Sequence, residues 1–172
     1  VMLGELRFRA NFYKTLNGTA AVLRRIEAKI PLMEDLNLPQ VLFTLLDAHQ
    51  GLVLVTGPTG SGKSTTLAAI INQINESRPS NIITIEDPVE FIHKDKKSIV
   101  SQREIGKQTK SFAHALKGAL REDPDVILVG ELRDLETIGM ALTAAETGHL
   151  VFGTLHTSGA PNTVNRIIDV FS

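Results

Sequence analysis

The stretch LVLVTGPTGSGKST, Leu52–Thr65, decides the fold of this chain. It begins with a continuous apolar, partly β-branched run, Leu52–Thr56, which is typical of a buried strand. The next residues, Gly57–Thr65, fit the pattern G-x-x-x-x-G-K-[S/T], whose glycines let backbone N–H groups turn toward phosphate oxygens. A helix predicted from about Lys63 to Glu76 would direct its positive N-terminus at the same phosphates. A chance glycine-rich turn is the competing interpretation, and the strand before it and the helix after it favour a nucleotide site.

The positions of this loop have separate expected tasks. The Lys63 ammonium should reach the β- and γ-phosphates of ATP, and the Ser64 hydroxyl should bind Mg²⁺. The predicted nucleotide-binding residues are Gly57, Pro58, Thr59, Gly60, Ser61, Gly62, Lys63, Ser64 and Thr65.

Further strands alternate with helices along the chain. The predicted strands are Ile82–Ile85, Val126–Val129 and Leu150–Leu155, and the predicted helices are Pro39–His49, Phe112–Glu122 and one around Leu135–Thr147. This alternation predicts an α/β fold with a mostly parallel sheet that is covered on both faces. The polar, basic segment His93–Lys110 is predicted to be a surface loop or a small excursion.

The first thirty residues have a different pattern. Apolar and polar side chains alternate from Leu6 to Tyr13, and Asn17-Gly18 is typical of a turn, so a β-hairpin is predicted. Two strands alone are marginal in water, and we expect this hairpin to complete a sheet whose earlier strands are not in this sequence. We therefore divide the chain into a hairpin fragment, residues 1–30, and a core that continues beyond its last residue, residues 31–172.

The composition is that of a globular protein. Of the 172 residues, 42% are hydrophobic and 22% are charged. The net charge of −1 gives no overall electrostatic case for a nucleic-acid partner, and the chain has no cysteine for disulfides or thiolate metal sites. No apolar run is long enough to span a bilayer.

Acidic residues follow two of the predicted strands. The strand Val126–Val129 ends at Gly130, where nucleotide hydrolases usually have an aspartate, and the acid comes one residue later as Glu131. The second cluster, Glu86, Asp87 and Glu90, follows Ile82–Ile85. Because ligands of parallel sheets bind at the carboxyl ends of strands, both clusters should face the phosphates. Glu131 is predicted to support Mg²⁺ through a water, and Glu90 to orient the attacking water, with Glu86 as the alternative.

Four motifs in order, GPTGSGKST, TIEDPVEF, LREDPDVILVGELRDLET and AAETGHLVFGTLHT, resemble the secretion ATPases of the type II/type IV pilus superfamily. The resemblance covers nearly the whole chain and is strongest to the type IV pilus retraction ATPases. It implies a RecA-like P-loop core, preceded by the last β-hairpin of an α+β, PAS-like N-terminal domain. It also assigns the catalytic glutamate to Glu90 and the atypical glycine–glutamate pair to Gly130 and Glu131.

The same resemblance implies the remaining functional residues and the partners. His149 and His156 would take part in nucleotide sensing, and Arg9 and Arg24 would reach a nucleotide across a subunit boundary. The implied protein is a cytoplasmic homohexamer, peripheral to the inner membrane. It would use ATP and Mg²⁺ to act on a pilus platform protein, without nucleic acid and without inserting into the membrane.

Three alternatives stay open at this level. A pilus-extension or type II secretion ATPase shares the same motifs. A RecA-like nucleic-acid translocase would need a basic channel and stacking aromatic residues, and only 5% of this chain is aromatic. A nucleotide-binding switch without turnover would not need acids at all the predicted positions.

Overall fold

The computed structural model describes residues 2–3, 6–26 and 29–171. The first described strands form a small antiparallel sheet of β1 (Met2–Leu3), β2 (Leu6–Thr15) and β3 (Gly18–Ile26). The predicted hairpin is therefore present, with one further short strand. Its turn is Leu16-Asn17, one residue earlier than predicted, since Gly18 already pairs with Thr15 at a positive φ of 113°.

A second sheet has five strands, all parallel. Its strands are β4 (Gly51–Thr56), β5 (Asn81–Glu86), β6 (Ile99–Glu104), β7 (Val126–Val129) and β8 (Leu150–Leu155). Their spatial order is β4-β8-β7-β5-β6. The sheet and its flanking helices confirm the predicted α/β fold. Its carboxyl edge gathers the loops that follow β4, β5, β7 and β8, as the parallel arrangement requires.

Helices cover both faces of this sheet, which explains the continuous apolar strands. The helices are α1 (Lys63–Ser77), α2 (Phe112–Ala119), α3 (Leu135–Glu146) and α4 (Ala160–Val170). One apolar cluster joins α2 and α3 to the sheet through residues such as Leu116 and Ile138. The other joins α1 and the segment before β4 through residues such as Ile70 and Met33. None of the helices within the described ranges has the length and apolar character needed to cross a membrane.

Three segments differ from the predictions. The helix predicted at Pro39–His49 is a 3-10 helix and is shorter, Gln40–Asp47. Helix α2 ends at Ala119 rather than Glu122. The largest difference is β6, which lies within the segment predicted as a loop. It pairs only with β5 at the sheet edge, so polar side chains are tolerated there and the apolar signal of a buried strand is missing.

Candidate functional site

The phosphate loop connects β4 to α1 and is shaped by glycine. Gly57, Gly60 and Gly62 all have positive φ angles, which side chains with a Cβ rarely adopt. The Lys63 Nζ donates hydrogen bonds to the carbonyls of Gly57 and Pro58, both at 3.0 Å. An ammonium has three donors, so a third can meet an anion lying over the loop.

The predicted site residues converge on one cavity of about 290 Å³ at the carboxyl edge of the sheet. Its walls come from the phosphate loop, the loop after β5, the ends of β7 and β8, and the hairpin. They comprise Arg9, Arg24, Thr59, Gly60, Gly62, Lys63, Ser64, Asp87, Glu90, Gly130, Glu131, Thr154 and His156. The remaining predicted loop residues, Gly57, Pro58, Ser61 and Thr65, are not among these lining residues.

Gly130 is needed because β7 and β5 approach closely where both strands end. The Gly130 N–H donates to the Ile85 carbonyl at 2.7 Å. A Cβ at position 130 would lie 3.1 Å from that carbonyl oxygen and 3.2 Å from the Glu86 Cα. Both contacts are with backbone, which cannot rotate away. A side chain in the usual aspartate slot would therefore force the ends of β7 and β5 apart by a few tenths of an ångström, and the first acid after the strand is Glu131.

Glu131 is held as an anion inside the cavity. Its Oε2 lies 2.5 Å from Arg133 Nη2, and its Oε1 lies 3.6 Å from His156 Nε2. The hydrogen bond from Arg133 lowers the pKa of the Glu131 carboxyl, and the charges of Arg133, His156 and Lys63 lower it further against the effect of burial. At neutral pH this residue is an oxygen ligand or a hydrogen-bond acceptor rather than a proton donor.

Two glutamates on the loop after β5 have different surroundings. Burial raises the pKa of the Glu86 carboxyl, although hydrogen bonds from Thr84, Gln102 and the backbone of Glu90 act in the opposite direction. Glu86 Oε1 accepts from Thr84 Oγ1 at 2.7 Å and from Gln102 Nε2 at 3.2 Å. Glu90 is exposed and lines the cavity. The geometry favours Glu90 over Glu86 for contact with a substrate.

Oxygen donors suited to magnesium stand together near the phosphate loop. Ser64, Asp87 and Glu131 line a recess of about 70 Å³ that also includes Glu86 and Glu90. Among the described residues, no group of three or more His, Asp or Glu side chains is arranged to hold a metal ion alone. The oxygen donors of Ser64 and Glu131 are of the kind that Mg²⁺ binds, usually one or two carboxylates together with phosphate oxygens.

The two predicted hairpin arginines are neighbours. Arg9 and Arg24 are directly paired across β2 and β3, so their side chains are on the same face. Both line the cavity that contains the phosphate loop of their own chain, whereas the resemblance implied contact across a subunit boundary. In the core, Arg103 instead binds Glu122 at 2.8 Å and is not among the lining residues.

The two predicted histidines lie at opposite ends of β8. His156 follows the carboxyl end and lines the cavity. His149 precedes the strand, and its Nδ1 lies 3.0 Å from the Ala144 carbonyl at the end of α3. Seven residues of extended chain separate the two by roughly 23 Å. Within a single chain, β8 therefore places His149 at the opposite edge of the sheet from the cavity, and its role in nucleotide sensing stays a prediction.

Two lining residues were not assigned a role from the sequence. Asp87 was seen only as part of an acidic cluster. Thr154 is buried, and its Oγ1 donates to the Gly130 carbonyl, so it fixes the backbone just before Glu131. Its position near the carboxyl end of a predicted strand was the available signal.

Comparisons with known proteins show which family this chain resembles. The family model described as "Type II/IV secretion system protein" matches residues 1–171. A "Twitching motility protein" of Neisseria gonorrhoeae is 63% identical over 165 residues, which cover 96% of this chain and 44% of that protein. The "Type IV pilus retractation ATPase PilT" of Pseudomonas aeruginosa is 57% identical over 168 residues, covering 98% and 49%.

A solved structure has the same fold. The "Crystal Structure of the Pilus Retraction Motor PilT and Bound ADP" superimposes with a TM-score of 0.95 at 58% identity, covering 99% of this chain and 50% of that one. The chain thus spans about half the length of the relatives it matches. With a family match over nearly every residue and a shared RecA-like core, this chain belongs to the type II/IV secretion system protein family.

Proposed function

We propose that this chain is the nucleotide-hydrolysing part of a motor that drives type IV pilus retraction. The observation that carries the proposal is the single cavity in which the phosphate loop, Glu90, Glu131 and the Arg9–Arg24 pair meet. The printed names of its relatives, a twitching motility protein and a pilus retraction ATPase, support the same activity.

Each wall of the cavity has a task in ATP hydrolysis. The N–H groups of the phosphate loop and the Lys63 ammonium bind the β- and γ-phosphates. Ser64 and Glu131 would hold Mg²⁺, which would supply positive charge to the phosphates when it is bound. The oxygen donors of the recess beside the phosphate loop fit Mg²⁺, and Arg133 keeps the Glu131 carboxylate ionised.

The exposed carboxylate of Glu90 orients the attacking water and accepts its proton, a step that typically contributes 10²–10⁴-fold in rate. Arg9 and Arg24 stabilise the negative charge of the transition state. Because like charges directly opposite each other are unfavourable in a sheet, an anion between these two arginines is the arrangement that best satisfies both.

Hydrolysis is coupled to force through the hairpin. The hairpin belongs to an N-terminal domain, residues 1–30 of this chain, and the core begins at residue 31. A nucleotide bound between the two draws the arginines toward the phosphate loop, and the connection Lys29–Leu32 acts as the hinge. The working unit is a homohexamer at the inner face of the inner membrane, acting on the pilus platform protein.

ATP hydrolysis by the complete protein tests the enzymatic part of this proposal. The wild type should release phosphate from ATP in the presence of Mg²⁺, and Lys63→Ala should abolish that release. Turnover in Lys63→Ala within about threefold of wild type would contradict the site assignment, since removal of a P-loop lysine should cost far more.

The direction of the motor is tested in cells. Deletion of the gene should give many surface pili and no twitching movement. Cells without pili would instead support the extension or type II secretion alternative.

A further inference from the structure

The edge strand β6 contributes side chains to the loop that carries Glu90. This loop, residues 86–93, is called the Glu90 loop here. Gln102 and Glu104 lie two residues apart on β6, so both point to the same side of the strand. Each makes hydrogen bonds to the Glu90 loop, whereas Arg103 between them points away and binds Glu122.

Gln102 holds the loop at three points. Its Nε2 donates to the Phe91 carbonyl at 2.9 Å and to Glu86 Oε1 at 3.2 Å. Its Oε1 accepts from the His93 N–H at 2.8 Å. Both donors and the acceptor of the amide are thus used, and they contact the loop before and after Glu90.

Glu104 and Glu86 hold the backbone immediately beside Glu90. Glu104 Oε2 accepts from the Val89 N–H at 3.2 Å, and the Glu104 side chain is only 12% exposed. The Glu86 carboxylate in turn receives a hydrogen bond from the backbone of Glu90. The two peptide groups that precede Glu90 are therefore fixed to side chains from β5 and β6.

The side-chain hydrogen bonds of Gln102 and Glu104 are not needed to hold β6 in the sheet. β6 already pairs with β5 along all six of its residues through the backbone. The side chains of Gln102 and Glu104 instead form hydrogen bonds with backbone groups of an irregular loop. Without these side chains, the same backbone groups would have to bind water. These hydrogen bonds restrict the position of the exposed Glu90 carboxylate relative to the cavity.

We propose that Gln102 and Glu104 are positioning residues that set the place of Glu90 against the substrate. The inference rests on the proposed role of Glu90 in ATP hydrolysis. A misplacement of about 1 Å can cost about 10²-fold in rate, so loosening the loop should reduce turnover without removing any group that touches nucleotide.

The test uses Gln102→Met and Glu104→Leu in the complete protein, with Arg103→Gln as the control on the opposite face of β6. Both test variants should lower kcat about 10- to 100-fold while the dissociation constant for ADP stays within about threefold of wild type. Glu104→Gln retains an acceptor for the Val89 N–H and should recover most of the activity lost in Glu104→Leu. Arg103→Gln removes a partly exposed ion pair, so it should lower the melting temperature only slightly and leave kcat within about twofold.

A second background separates positioning from general stability. In a Glu90→Gln protein, adding Gln102→Met should change the residual rate by no more than about twofold, because the group being positioned is already lost. An equal loss in both backgrounds, or a loss matched by Arg103→Gln, would overturn the proposal. If Gln102→Met does not fold, Gln102→Ala, which removes the amide without placing a charge beside Glu86, is measured in the same way.

The ATP hydrolysis activity of the wild type distinguishes failure of the positioning role from failure of the proposed function. An active wild type with fully active Gln102→Met and Glu104→Leu variants would overturn only the positioning role. A folded, nucleotide-binding wild type without hydrolysis would overturn the proposed function, and the positioning role with it.

Discussion

Substitution of Gly130 tests why the acid after β7 comes one residue late. In Gly130→Ala, the new Cβ would meet the Ile85 carbonyl oxygen at 3.1 Å and the Glu86 Cα at 3.2 Å. Because both partners are backbone, β7 and β5 must separate by a few tenths of an ångström at the point where each delivers its carboxylates. The hydrogen bond from Gly130 N–H to Ile85, now 2.7 Å, would lengthen.

The expected magnitudes follow from that separation. Overpacking a close contact costs about 1–3 kcal/mol of the free energy of unfolding. A misplacement of 1 Å can lower a rate about 10²-fold. A displacement of a few tenths of an ångström should therefore lower kcat about three- to tenfold. Gly130→Asp, which puts the acid in the usual slot, should be less active than Gly130→Ala because its side chain is larger.

The assay combines steady-state ATP hydrolysis with urea unfolding of the complete protein. Gly139→Ala, within α3, is the matched control, since a Cβ there meets the Phe171 ring at 3.9 and 4.0 Å, which is ordinary van der Waals contact. That control should keep its activity and gain up to about 1 kcal/mol from helix propensity. Wild-type activity and stability in Gly130→Asp would refute the argument from close approach.

Two other predictions concern His93 and the arginine pair. Burial lowers the pKa of His93 to about 4, so the unfolded chain takes up this proton at a higher pH than the folded chain does. The free energy of unfolding should therefore fall by about 3 kcal/mol in total as pH drops from about 6.5 to 4. His93→Leu should flatten this part of the pH dependence measured by urea unfolding, and an unchanged slope would contradict the lowered pKa of His93. Arg24→Ala should slow ATP turnover at least about tenfold. Its melting temperature should be unchanged or slightly raised, because the substitution relieves repulsion from Arg9. Lys14→Ala, at an exposed position of the hairpin, is the control, and equal turnover in the two variants would contradict a catalytic role of the arginines.

The sequence predicts the core of this fold because strong local signals and burial agree there. The runs Leu52–Thr56, Val126–Val129 and Leu150–Leu155 are apolar because both sheet faces are covered, and each lies within an observed strand. The cavity follows from the same reasoning, since parallel strands deliver Lys63, Glu90 and Glu131 to one edge.

The edge of the sheet was not predictable in the same way. β6 carries Ser101, Gln102, Arg103 and Glu104, and a strand paired on only one side needs no apolar run. Its polar residues are explained by the loop they hold, a tertiary contact that periodicity does not reveal. His149 differs, because the predicted strand Leu150–Leu155 already separates it from His156, and only the family resemblance connects both histidines with the nucleotide.

The central claim is that Glu90 acts on a nucleotide held by the phosphate loop, and the ATP hydrolysis rate of Glu90→Gln at saturating ATP and Mg²⁺ tests it most directly. This substitution preserves size, and it removes the negative charge and the ability to take a proton. The account predicts a rate about 10²-fold or more below wild type, with nucleotide affinity within about threefold. A rate within about threefold of wild type would contradict it.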